Sequence, residues 1–290
     1  MISIIITAYK EPKTITKALK IISKQISKKD EIIVVCPDDE TEKAAKKFKI
    51  RVIKDKKIGK PAALNLAFRK ARGDILILTD GDVYISDNAV KEILKSFKDK
   101  KVGVVSGRPI SINTRNTMLG FWSHLLTDIG AHETRTLLRE KNKFIVCSGY
   151  LMAIKNNLIK RIPENSLSDD AVISNLIYSK GYKTAYAPKA MVFVKYPTNI
   201  KDWLKQKRRS AGGYLQIKNL TNRKDEMRSF FRESLGIFRV LKYPKTIKKF
   251  YWTFILIFVR LYLWLVIFID IKIKKKEFSK IWKRVESTKN

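Results

Sequence analysis

The chain of 290 residues is 45% hydrophobic, enough to bury one large core or two small ones, which excludes disorder over most of its length. Its 61 lysines and arginines against 27 aspartates and glutamates give a formal charge of +34, a field that draws in polyanions such as nucleotide phosphates, anionic lipid headgroups or nucleic acid. The two cysteines, Cys36 and Cys147, each lie in an apolar run and read as buried thiols of a reducing compartment instead of a disulfide or zinc framework.

The N-terminus, MISIIITAYKEP, lacks the basic start, apolar stretch and small-residue cleavage site of a secretory signal, so residues 1–240 are expected in the cytoplasm. Over the first hundred residues, short β-branched runs alternate with helical patterns. ISIIITAY precedes a helix over Lys13–Ser27, EIIVVC one over Thr41–Phe48, IRVIKD one over Lys60–Ala71 and DILILTD one over Asn88–Asp99, before the strand VGVVSGRP. Such alternation implies βαβ units and a mostly parallel sheet with helices on both faces. Ligands sit beyond the carboxyl ends of strands in sheets of this kind. Residues 7–11, 36–40, 55–60 and 80–82 are therefore the ones to inspect.

From about residue 110 the pattern becomes a helical stretch over Thr117–Arg139, a strand FIVCSGYLMAIK and a polar turn PENSLSDD. A helix over Ala171–Lys180, a strand KTAYAPKAMVFV and a basic helix over Ile200–Lys218 complete a mixed α/β body. MRSFFRESLGIFRVLKYP then sets Phe230, Phe231, Leu235, Phe238 and Leu241 at roughly helical spacing among basic residues. That suits either a helix in a membrane interface or a core helix with a solvated basic face. Phe250–Ile269 is twenty residues with one charge, Arg260, a length that spans a hydrocarbon layer of ~30 Å, and a membrane segment is expected there. Arg260 at its centre costs ~2.5–3.5 kcal/mol unless it reaches a partner or a headgroup. Lys248 and Lys249 before it and Lys272, Lys274, Lys275 and Lys276 after it are basic on both sides, so a crossing and an in-plane or re-entrant anchor both stay open. The expected units are 1–105 and 106–218 as the two halves of the α/β domain, 219–249 interfacial, 250–271 anchor and 272–290 basic tail.

Asp80 and Asp82 directly follow an inferred strand, and Gly81 between them lets the backbone approach a ligand closely. Two carboxylates in D-x-D spacing suit a hard cation, Mg²⁺ or Mn²⁺, with its remaining positions open to phosphate oxygens. A surface turn carrying two acids is the plain alternative. His124, His132 and Glu133 have poor spacing for a second metal site, the two histidines being eight residues apart on one helix.

Several further segments bear on that choice. SIIITAYKEP is similar to an opening strand and P-x-Y-N-E loop, with Thr7 and Lys10 where proline and asparagine are usual. Asp38 and Asp39 occupy a place similar to that of a D-D-G-S or S-G-S-x-D loop, without its glycine. IGKPAALNLAFRKARGDILILTDGD matches G-K-x-x-A-L-N, A-x-G-D and D-x-D in order. VCSGYLMAIKNNLI looks like a glycine-bearing strand, SLSDDAVIS like an E-D motif with Asp169 in place of glutamate, and QKRRS like Q-x-x-R-W with Ser210 replacing tryptophan. Over roughly residues 1–215 the chain thus resembles glycosyltransferase family 2, the inverting nucleotide-sugar enzymes of the GT-A fold.

That resemblance implies a donor site of Thr7, Tyr9, Glu11, Asp38, Asp39, Lys60, Asp80 and Gly149, with Asp80 and Asp82 holding Mg²⁺ or Mn²⁺ on the diphosphate. It implies Asp170 as the base that takes the acceptor's proton and Asp169, Gln206 and Arg209 on the acceptor side. Each residue has a structural counterpart reading: Glu11 ends a strand, Asp169 caps a helix, and Lys207–Arg209 form a solvated face. The expected function is a membrane-associated enzyme moving a sugar from a UDP-sugar to a lipid-linked or glycan acceptor at an anionic membrane. A polyprenyl-phosphate glycosyltransferase is the near alternative, and a basic nucleic-acid-binding protein or a catalytically silent membrane scaffold are the alternatives of another class. Nucleic acid is not expected as a partner, because much of the basic excess flanks apolar segments instead of interleaving with aromatics on a recognition surface.

Overall fold

The computed structural model describes residues 1–221, 237–269 and 285–288. Its first half runs β1 (Ile2–Thr7), α1 (Pro12–Ser23), β2 (Glu31–Cys36), α2 (Asp39–Lys46), β3 (Arg51–Lys54), α3 (Lys60–Phe68), β4 (Ile75–Asp80), β5 (Tyr84–Ile85) and α4 (Ala89–Leu94). β6 (Val102–Ser111), α5 (Met118–Thr127), α6 (Thr134–Glu140), β7 (Leu151–Lys155), α7 (Asp169–Ser179) and β8 (Lys183–Val194) follow. α8 (Ile200–Thr221), α9 (Ile237–Lys242) and α10 (Ile247–Phe268) close the order.

The strands form one sheet in the order β3-β2-β1-β4-β7-β6-β8-β5. β3, β2, β1 and β4 are parallel, as the alternating pattern implies, and the register pairs Thr7 with Asp80, so β1 and β4 deliver their last residues side by side. Beyond β4 the sheet is mixed, because β7 enters antiparallel between β4 and β6 while β6 and β8 are parallel. β6 runs through residue 105, so the two expected halves share one sheet. The strand expected from Phe144 pairs only from Leu151; residues 144–148 run outside the ladder.

Every residue of β1 is buried, as a central strand covered on both faces requires. One face packs under α1, whose Ile15, Ala18, Leu19 and Ile22 fall on a single stripe, and the other under α3 and α7. The helical stretch expected over Thr117–Arg139 divides at a π-helical turn, Asp128–Glu133, between α5 and α6. A third core cluster joins α5, α8 and α10: Phe121, Trp122, Leu125, Trp203 and Leu256 are buried together, and the Trp122 indole donates to the Trp252 carbonyl at 2.7 Å.

α10 is long and apolar enough to cross a membrane, with mean hydropathy 2.0, and 22% of its most apolar window is buried. Leu256, Leu263 and Ile267 face the protein, whereas Phe254, Phe258, Tyr262 and Leu265 are exposed. Of the expected interfacial residues, Phe238 is exposed and Leu241 half-buried on α9; Phe230, Phe231 and Leu235 lie outside the described residues, as do Lys272, Lys274, Lys275 and Lys276. Cys36 and Cys147 are both free and buried, and burial pushes each thiol up to about 12.

Candidate active site

A cavity of about 1110 Å³ opens at the carboxyl ends of the parallel strands and reaches across to α8 and α10. Of the site residues expected from sequence, Thr7, Tyr9, Glu11, Lys60, Asp80, Asp82, Gly149, Asp169, Asp170, Gln206 and Arg209 all line it. Residues up to two hundred positions apart thus converge on one space.

The diphosphate end is built around Asp80. Its Oδ1 takes the Lys60 ammonium at 2.6 Å and the Thr7 hydroxyl at 3.0 Å, and among the described residues no side-chain donor occupies Oδ2. Gly81 follows because a Cβ there would lie 2.7 Å from both the Ala8 Cβ and Glu11 Oε2, far inside contact distance. Its N–H donates to the Thr7 carbonyl at 3.0 Å, which ties the D-G-D turn to β1. Lys60 sits at the first position of α3, after Gly59 with φ of +138°, and also reaches Asp169 at 3.6 Å. Burial disfavours the Lys60 charge, but Asp169 and Asp80 outweigh it and hold the ammonium above the ordinary lysine value. Burial raises the Asp169 carboxyl above the usual range; Lys60 opposes this, and Asp170 and Asp80 add to it.

Asp170 occupies the first turn of α7, and its carboxylate is fixed by three donors. Gly149 N–H reaches Oδ2 at 2.9 Å, while the Ser168 hydroxyl and Ala171 N–H reach Oδ1 at 2.6 and 2.8 Å. A Cβ on Gly149 would press on that carboxylate at 3.3 Å, so the glycine expected beside a donor sugar also positions Asp170. Gln206 donates to the Tyr150 hydroxyl at 3.3 Å, and burial lifts that phenol to about 12.

Two of the expected donor residues are placed differently. Asp38 caps α2, accepting from Thr41 N–H at 3.0 Å and from Lys10 N–H at 2.8 Å, and Asp39 is exposed and paired with Lys54; neither lines the cavity. The neighbouring wall is Pro37, Tyr9 and Asp55, with the Lys57 ammonium 5.1 Å from the Tyr9 ring centroid. Asp55 directly follows β3, in one of the segments flagged for inspection, but had no motif to single it out. Arg135 was missed altogether: it lines the cavity from α6 although it is 4% exposed, and one arginine on an amphipathic helix gives no signal in sequence. His124 bonds the Asn113 carbonyl and His132 the Tyr186 hydroxyl, each ring in its own packing niche.

Among the described residues no group of three His, Cys, Asp or Glu is placed to hold a metal. The two carboxylates of Asp80 and Asp82 nevertheless fit Mg²⁺ or Mn²⁺, hard cations that use one or two carboxylates and take their other oxygens from substrate phosphate.

The family model described as glycosyltransferase-like family 2 matches residues 1–213. The chain belongs to this family. Hyaluronan synthase of Streptococcus pyogenes is 27% identical over 198 residues, 64% of this chain and 43% of that one. Poly-β-1,6-N-acetyl-D-glucosamine synthase of Staphylococcus aureus is 25% identical over 228 residues, 73% of this chain and 54% of that one. The family 2 chain therefore spans about half the length of the curated relatives it matches. Among solved structures, the mannosyltransferase PcManGT of Pyrobaculum calidifontis with GDP-Man and Mn²⁺ superposes with a TM-score of 0.61 at 22% identity, over 78% of this chain and 65% of that one. Glucosyl-3-phosphoglycerate synthase of Mycobacterium tuberculosis with Mn²⁺, UDP and phosphoglyceric acid gives a TM-score of 0.54 at 18% identity, over 74% and 78%. These likenesses establish the GT-A fold.

Proposed function

We propose that the protein transfers a sugar from a nucleoside-diphosphate sugar, most simply a UDP-sugar, to a hydroxyl of a lipid-linked or glycan acceptor by a single inverting displacement at the cytoplasmic face of a membrane. The observation that carries this reading is the shared cavity, in which the Asp80-Gly81-Asp82 turn and the positioned Asp170 carboxylate face one space. Tyr9 and Asp55 supply a ring face and an acceptor for the base, and Thr7, Glu11 and Lys60 wall the path to the diphosphate. Asp80 and Asp82 would hold Mg²⁺ or Mn²⁺, which offsets the charge that develops on the leaving diphosphate.

In the step itself the acceptor oxygen bonds to the anomeric carbon as the bond from that carbon to the diphosphate oxygen breaks, and the electron pair leaves with the nucleoside diphosphate. The hydroxyl proton passes to Asp170, a general base of the kind worth about 10²–10⁴ in rate. Lys60 lies between Asp80 and Asp169 and adds a cation to the phosphate side. Gln206 and Arg209 from α8 flank the acceptor. The direct fused route from strand ends to α10 supports action at a membrane, since α10 meets the length and hydropathy of a spanning helix.

Titration calorimetry of the full chain in detergent with a panel of nucleotide sugars tests the donor half. Tight binding is expected only with Mn²⁺ or Mg²⁺, and Asp82→Asn should weaken it at least ten-fold. Metal-independent binding that survives Asp82→Asn would overturn the clamp.

A further inference from the structure

Away from the D-G-D turn the cavity lining changes character. Leu126, Ile129 and Leu138, from α5, the π-helical turn and α6, face the space together with Leu256, Ile257 and Leu261 of α10. The α10 residues recur one and four positions apart, as a single helical stripe does, and Arg260 lies on the same stripe. The adjoining stripe of α10 is open, with Phe254, Phe258, Tyr262 and Leu265 from 42% to 66% exposed and Leu261, at the border of the two, 46% exposed.

Within the cavity Arg135 stands apart. Its Nε donates to the Val146 carbonyl at 3.1 Å, but its Nη1 is buried with no hydrogen-bond partner among the described residues. A buried guanidinium N–H left unmade is costly, and a charged one more so, which marks a place where a ligand anion completes the structure. Apolar walls suit a hydrocarbon chain; a saccharide there would strip water from hydroxyls without replacing the lost hydrogen bonds.

We infer that the acceptor is an amphiphilic anion: a long-chain lipid phosphate or diphosphate bearing the acceptor sugar, with its phosphate at Arg135 and Arg260 and its chain between α5–α6 and α10. This rests on the sugar-transfer reading only in naming the molecule as acceptor. The chain leaves toward the open stripe of α10, where a bilayer would meet it. The donor diphosphate stays at Asp80, Asp82 and Lys60, so the two anions occupy different ends of the cavity.

Photo-crosslinking of the full chain in detergent with a diazirine-bearing isoprenoid phosphate, followed by peptide mapping, tests the inference. Label is expected on residues 118–140 and 247–268, reduced at least ten-fold by excess unlabelled long-chain isoprenoid phosphate. The matching alcohol, inorganic phosphate and phosphatidylglycerol should each reduce it less than two-fold. Arg135→Gln should bring phosphate and alcohol within two-fold of each other, and Arg135→Lys should restore part of the preference. If Arg135→Gln fails to fold, the competition series on the unmodified chain decides alone. Equal competition by phosphatidylglycerol would mean annular lipid, and equal competition by the alcohol would leave the cations without a role. Competition by a nucleotide sugar carrying a uronic carboxylate would assign Arg135 to the donor. Each of these outcomes overturns the proposal. Label that behaves as expected in a protein that binds no nucleotide sugar would instead sink the transfer reading and leave the lipid site standing.

Discussion

At the scale of single residues, the two acids after β2 show how one sequence feature serves two ends. Burial pushes the Asp38 carboxyl up, but the Lys10 and Thr41 donors outweigh it and hold the group below its ordinary value of 3.8. A lowered folded value means that its stabilisation is full above that ordinary value and is lost as pH falls through the lower one. Asp38→Ala should therefore cost about 1 kcal/mol at pH 7, as helix caps commonly do, with the difference from the unmodified chain narrowing in strong acid. Urea unfolding across pH checks this, and a pH-independent difference would remove the carboxylate's role. In sequence, an acid after a strand reads equally as a ligand or as a cap. The choice rests on whether a helix starts there, and α2 does start at Asp39. No helix starts directly after Asp80 and Asp82, and Gly81 packs against Ala8 and Glu11, so the cap reading has no support there.

At the scale of elements, the parallel strands were legible because each is a run of apolar residues buried on both faces, and α1 because its stripe has helical period. β5 was not, since two residues carry no pattern, and β7 is shorter than its apolar run because Ile145–Cys147 are buried without pairing in the sheet. The inward face of α10 was likewise hidden: a helix apolar all round does not say which side packs. The structure makes that side specific, with Leu256 1% exposed against Phe121, Trp122 and Trp203. Leu256→Ala should destabilise the chain by about 2–5 kcal/mol, the range for buried leucines. Phe258→Ala, at a position 66% exposed, should cost less than about 0.5 kcal/mol in detergent. Equal costs in thermal unfolding would mean that α10 is not docked on α5 and α8.

For the whole molecule, a formal charge of +34 and, among the described residues, one helix of membrane length support the proposal of a body held against anionic lipid. The full chain should float with vesicles containing phosphatidylglycerol at low salt and do so less well as salt rises, because the electrostatic share is screened within a Debye length of ~10 Å at 0.1 M. Flotation indifferent to both lipid charge and salt would leave the basic excess unexplained by membranes. The site was readable from sequence to the extent that motif order reports strand ends. Its far wall was not, because Arg135 and the α10 stripe meet the cavity only through tertiary packing.

We propose above that Asp170 takes the acceptor's proton opposite a metal-held diphosphate. Single-turnover transfer by Asp170→Asn, measured alongside donor affinity, tests it most directly. Transfer should fall at least about 100-fold, in line with loss of a general base, while the donor dissociation constant changes less than three-fold. Unchanged transfer with intact donor binding would contradict it.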